Sequence, residues 1–163
     1  MSTIRSLLPY PTWPSKPLKV TAVNADDGAF AVFDAASGAD LALAVAASCT
    51  VPGAWPPVGI NGTPYMDGGM RSAVNADVAA GCDRVLVLSC GPEAPESPFG
   101  PTLPQAMKRL SEGSETFLIE ADAASVAAFG TNVLLESTRR PSATAGWEQG
   151  KAAVDAVKRF WGA

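Results

Sequence analysis

Apolar and polar positions alternate from Leu18 to Ala25, with Leu18, Val20, Ala22 and Asn24 on one side and Lys19, Thr21, Val23 and Ala25 on the other. Asp26-Asp27-Gly28 turns the chain, and Ala29 to Phe33 returns as Ala-Phe-Ala-Val-Phe, so the pattern predicts a β-hairpin. Leu41 to Ser48 is a run of small and aliphatic residues after Asp40, which predicts a short helix capped by that aspartate and packed closely on a sheet. Val58-Gly59-Ile60 and Pro64-Tyr65-Met66 are two short apolar pieces around Asn61-Gly62, the dipeptide most favoured in a tight β-turn.

Farther along, Asn75 is expected to cap a short helix from Ala76 to Ala80 that Gly81 closes. Arg84 to Cys90 is nearly all apolar and predicts a central strand covered on both faces. A Pro/Gly-rich loop follows, then a helix from about Leu103 to Glu112, a strand from Thr116 to Glu120, and a helix from Ala123 to Phe129 capped by Asp122. The last helix should run from about Ala143 to Phe160. There Trp147, Gly150, Val154, Val157 and Trp161 keep the three-and-four spacing of one face, which predicts the packed side. Strands alternating with helices predict an α/β architecture with a largely parallel sheet plus one hairpin.

Composition narrows this picture. At 163 residues a single domain spanning 1–163 is expected, with residues 1–16, broken by Pro9, Pro11 and Pro14, as an extended lead-in. Hydrophobic residues at 47% and charged ones at 17% are enough for a packed core. A net charge of -4 argues against a nucleic-acid partner, which calls for a basic face. No apolar stretch approaches the ~20 residues of a membrane-spanning helix, so a cytoplasmic protein is expected.

Cys49, Cys82 and Cys90 have no paired spacing and read as reduced thiols. With no Cys-x-x-Cys and no histidine anywhere, neither a metal site nor a cofactor is expected. The missing histidine also excludes Ser-His-Asp and Cys-His mechanisms within the chain. A base made of aspartate alone survives that exclusion.

Candidate chemistry lies between Ala47 and Gly69. Pro52, Gly53, Pro56 and Pro57 stop the helix that ends in Ser48, and the second apolar piece leads Asp67 straight into Gly68-Gly69. A carboxylate at a strand end, followed by two residues without side chains, can be approached closely by backbone or substrate. Turn formation is the plainer role of an Asp-Gly pair. Ser48, Ser72 and Ser89 are the nearest serines, and none lies in a nucleophile turn. Cys49 has no evident base beside it, Trp55, Trp147 and Trp161 read first as packing residues, and Arg139-Arg140 reads as a solvated edge.

Ala47-Ser48, Pro52, Pro56-Pro57-Val58, Gly62, Tyr65 and Asp67-Gly68-Gly69, in that order, resemble the C-terminal signature of patatin-like phospholipases, and the resemblance runs from about Trp13 to about Val157. It implies an α/β/α three-layer sandwich, here the C-terminal part. It also implies lipid acyl hydrolysis by a Ser–Asp dyad, with Asp67 as the base and Gly68 and Gly69 as supporting backbone.

The family's Gly-x-Ser-x-Gly turn and Gly-rich oxyanion loop are absent from this sequence. The chain therefore reads as the aspartate-bearing half of a hydrolase, inactive alone. Its expected partners are a lipid or small ester and either a complementary N-terminal half or further copies of itself. The alternative is a non-catalytic module that keeps the fold to bind lipid or protein. A nucleotide-binding domain ranks last, because Gly-x-Gly-x-x-Gly and the Gly-Lys-Ser/Thr loop are missing.

Overall fold

The computed structural model describes residues 2–10, 12–91, 93 and 96–162. The chain divides into two compact units, Met1–Val78 with Pro95–Leu103 and Ala79–Ala94 with Pro104–Ala163.

The first unit is built on a four-stranded sheet. β1 (Val20–Asn24) and β2 (Phe30–Phe33) form the expected hairpin, with Val20 opposite Phe33 and Val23 opposite Phe30. β3 (Val58–Ile60) and β4 (Thr63–Asp67) form a second one. Its turn residues Asn61 and Gly62 take φ of 51° and 85°, the pair of positive values that a two-residue hairpin loop requires. β4 returns beside β1, Ala22 facing Asp67, so the strand order is β2-β1-β4-β3 and every pairing in this sheet is antiparallel.

Helix α2 (Leu41–Ser48) packs on β1, β3 and β4. Asp40 caps it as expected, its side chain accepting from the Leu43 N–H. Because α2 is apolar on all sides, its alanines can approach the sheet closely. Ala44 and Ala47 join Ala22, Phe33, Ala39 and Ile60 in the core, and the Phe33 and Tyr65 rings meet edge-on at 5.0 Å.

The lead-in is not extended throughout, because Ser2–Leu7 forms a helix, α1. Arg5 pairs with Asp40 at 3.0 Å, and the Trp13 indole N–H donates to the Ala39 carbonyl at 2.8 Å. These two ties hold the segment to the start of α2.

In the second unit β5 (Arg84–Ser89) and β6 (Glu115–Glu120) pair in parallel, Arg84 opposite Glu115 through Ser89 opposite Glu120. Between them the chain forms α3 (Leu103–Leu110), and after them α4 (Ala123–Phe129) and α5 (Arg139–Trp161). Helices and strands, with a hairpin and a parallel pair, give the α/β class expected. Parallel pairing, expected to dominate, is confined to β5–β6 among the described residues.

Two packing expectations change. β5 is covered on one face only: Val85, Val87 and Ser89 are buried, while Leu88 is 65% exposed. Its apolar run conceals an alternating strand of a two-stranded sheet. On α5 the packed side is not the tryptophan side. Ser142, Gln149 and Phe160 carry its inward contacts: Gln149 Nε2 donates to the Glu120 carbonyl at 2.7 Å, its Oε1 accepts from Ser125 Oγ at 2.9 Å, and the Phe160 ring lies 5.5 Å from that of Phe117. Trp147 is left 69% exposed. No helix among the described residues is long and apolar enough to cross a membrane.

Candidate functional site

Pairing with β1 on one side and β3 on the other carries β4 to its last residue, Asp67, where the chain leaves the sheet. Two hydrogen bonds fix the aspartate. Its backbone N–H donates to the Thr50 carbonyl at 3.0 Å, and its Oδ1 accepts from the Gly69 N–H at 2.7 Å. The first bond brings the loop after α2 to the end of β4. The second makes Asp67 the cap of a 3-10 turn, Gly68–Met70. Asp67 is half-buried, and among the described residues it takes part in no salt bridge.

Each glycine has its own reason. Gly68 is buried against β1, where a β-carbon would stand 2.5 Å from Thr21 Oγ1. At Gly69 a β-carbon would come within 3.0 Å of Asp67 Oδ1, the atom that its N–H holds. The first glycine seats the turn on the sheet, and the second keeps the carboxylate clear.

Sequence reasoning missed the residues that lock this turn from behind. Asn75 is buried with φ of 50°, and its Nδ2 donates to the carbonyls of Gly68 at 2.9 Å and Ser72 at 2.7 Å. That side chain is therefore occupied with the turn and does not cap the following segment, which is a 3-10 helix, Ala76–Ala79. Arg71 donates to Asn75 Oδ1 at 2.9 Å and to both carboxylate oxygens of Asp77, at 3.0 and 2.7 Å, with its guanidinium 4.0 Å from the centre of the Phe30 ring. A fork-to-carboxylate pair of this kind fixes orientation as well as charge. The one available signal was an Arg, an Asn and an Asp within the seven residues 71–77 that follow a strand end, a pattern with no fixed spacing.

The other candidates fall away from the aspartate's hydrogen bonds. Ser48 is half-buried at the end of α2. Ser72 Oγ accepts the Asn75 N–H at 3.2 Å, and Ser89, in the second unit, donates to the Gly91 carbonyl at 2.8 Å. Among the described residues no serine hydroxyl donates to Asp67. Loss of hydration pushes the Cys49 thiol pKa up, and the Asp67 negative charge pushes it further, so a thiolate nucleophile is disfavoured. Trp55, Trp147 and Trp161 are exposed. Arg139 and Arg140 begin α5. Among the described residues no group of three or more His, Cys, Asp or Glu could hold a metal ion.

The arrangement can present one carboxylate oxygen to a proton donor while backbone anchors the other. Among the described residues no serine hydroxyl is hydrogen-bonded to that carboxylate. Residues 3–80 match the family model of patatin-like phospholipases, just under half of the chain, in line with the resemblance carried by Ala47 to Gly69. No curated protein matches the chain.

Proposed function

We propose that this chain is the aspartate-bearing part of a patatin-like lipid acyl hydrolase, with Asp67 as the base of a Ser–Asp dyad. The serine and its oxyanion loop would come from a polypeptide segment outside these 163 residues. The observation that supports this most is the orientation of Asp67: Oδ1 is anchored by the Gly69 N–H, and no cation neutralises the carboxylate among the described residues. The remaining oxygen accepts the serine proton as the hydroxyl attacks the ester carbonyl. Asp67 then returns that proton to the leaving alcohol, and water releases the acid by the same route reversed. Gly68 and Gly69 hold this geometry through the turn.

Base assistance contributes roughly 10²–10⁴-fold, whereas losing a nucleophile removes on the order of 10⁶ in turnover. The chain alone is therefore inactive, and its partners are a lipid or small ester and a complementary segment or further copies. A cytoplasmic location belongs to the same proposal, supported by three free cysteines and an acidic composition.

The test is hydrolysis of a nitrophenyl ester by the chain alone and by the chain mixed with a polypeptide carrying Gly-x-Ser-x-Gly. Activity in the mixture alone, abolished by Asp67→Asn, is the expected result. Activity that survives Asp67→Asn overturns the role of the aspartate. A second reading, a non-catalytic lipid- or protein-binding module, is favoured by the lack of any serine bonded to Asp67 among the described residues. Inactivity of every mixture, with lipid binding retained, would select it.

A further inference from the structure

We propose that the outward stripe of α5 docks this unit on an anionic lipid surface. This stands apart from the hydrolase reading, because it requires α5 and not Asp67. Trp147, Val154 and Trp161 recur every seven residues, with Gly150 and Val157 between them, and all three are exposed. At about 100° per residue, Arg140, Lys151 and Lys158 fall within about 40° of Trp147 along one border of this stripe. Ser142, Gln149 and Phe160, which pack inward, lie about 150° away.

The helix carries Arg139, Arg140, Lys151, Lys158 and Arg159 against only Glu148 and Asp155, in a chain whose net charge is -4. Lys151 is shared with Glu148 at 2.6 Å, while Arg140 and Lys158 form no ion pair among the described residues.

The end that holds Arg139 and Arg140 sharpens the reading. Two cations occupy the first turn with no acidic residue, against the preference of a helix N-terminus for negative charge. Ahead of it, separated by the 3-10 turn Glu136–Thr138 with its one acidic residue, Val133, Leu134 and Leu135 are all exposed, 66% in the case of Val133. An exposed apolar run, a tryptophan line and a bordering row of long cations are what a lipid interface accommodates: rings and aliphatic chains at the acyl boundary, cationic ends among anionic headgroups.

Charge also opposes a second copy of the chain seated antiparallel on the stripe. Two such helices placed antiparallel on one another through this stripe would set one basic border against the other.

The test uses the full chain with vesicles of phosphatidylcholine containing phosphatidylglycerol, and with vesicles of phosphatidylcholine alone. Co-flotation and a blue shift of tryptophan emission are expected with the anionic vesicles only, and should be reversed by salt. Arg140→Glu with Lys158→Glu should weaken binding by about thirtyfold or more, at about 1 kcal/mol per cation near the surface. Lys108→Glu with Arg109→Glu on α3 makes the same change of net charge, both sites being exposed, and should leave binding close to that of the parent. Trp147→Ala should weaken binding without altering the circular dichroism.

No binding, equal binding to neutral vesicles, or an equal loss from the α3 pair would each overturn the proposal. So would a dimer in vesicle-free solution that Trp147→Ala dissociates, which would assign the stripe to a second copy.

Discussion

Gly68 lies so close to Thr21 that a β-carbon at position 68 would stand 2.5 Å from the threonine Oγ1 and 2.7 Å from its carbonyl oxygen. The side-chain contact could be relieved by a rotamer change or a smaller residue; the carbonyl contact could not, because Thr21 is held in β1 between two neighbouring strands. Gly68→Ala should therefore destabilise the first unit by about 1–3 kcal/mol, the usual cost of overpacking. Adding Thr21→Ala should restore only part of it. Gly69→Ala meets only the movable Asp67 carboxylate, at 3.0 Å, so the unfolding midpoint should change little. Urea unfolding of the three variants checks this order, and equal losses at positions 68 and 69 would contradict it.

Asn75 does two things that no other residue type combines as well. It tolerates a φ of 50°, and it donates to two buried carbonyls while accepting from Arg71. Asn75→Ala should destabilise by about 2–3 kcal/mol through unsatisfied carbonyls and backbone strain together. Asn75→Gly removes the strain but not the missing bonds, so it should recover about 1 kcal/mol of that loss. Chemical denaturation separates the two contributions. A glycine variant as stable as the parent would mean that the side-chain bonds contribute nothing.

Short-range chemistry was legible in the sequence wherever one residue type performs one local task. Asp40 before Leu41, Asp122 before Ala123, and Asn61-Gly62 between two apolar pieces each appear where expected, because caps and tight turns depend on neighbours along the chain. Asp67 at the end of a strand was legible for the same reason. The locking of its turn was not. Arg71 meets Asp77 six positions on, a spacing that no regular helix or strand sets, and Asn75 is equally suited to capping and to a left-handed backbone, so its type alone did not choose. Periodicity failed in a different way on α5. Two lines of residues compete there, and the line with the larger apolar side chains faces outward while Gln149, bonded to Glu120 and Ser125, faces in. Spacing identifies a face but not the surface that it meets.

Asp40 caps α2 through the Leu43 N–H at 3.0 Å and also pairs with Arg5. Asp40→Ala should cost about 1 kcal/mol, the usual value of a lost cap, whereas Arg5→Ala should cost less, because an exposed ion pair contributes about 0–1 kcal/mol. The Leu43 N–H holds the Asp40 pKa below the ordinary carboxylate value, with the Arg5 guanidinium helping and partial burial opposing. Since folding lowers this pKa, the stabilisation is complete above the ordinary carboxylate range and is lost as pH falls through the depressed value. The stability difference between parent and Asp40→Ala should thus be constant near neutrality and shrink in acid. A difference that grew in acid would contradict the assignment.

Cys49 connects Asp67 to a signal that can be read without any substrate. Loss of hydration raises the thiol pKa first, and the Asp67 charge raises it further. With Cys82 and Cys90, both exposed, replaced by serine, alkylation by iodoacetamide at about pH 8 reports Cys49 alone, and it should be slower than that of an unperturbed thiol. Asp67→Asn keeps the side-chain oxygen that accepts the Gly69 N–H but removes the charge, so the pKa should fall and alkylation should accelerate. Because folding raises this pKa, the thiol's contribution to stability is full below its ordinary value and is lost as pH rises through the raised one. Alkaline destabilisation should therefore be milder in Asp67→Asn. An alkylation rate unchanged by that substitution would mean that the carboxylate does not act on the thiol electrostatically.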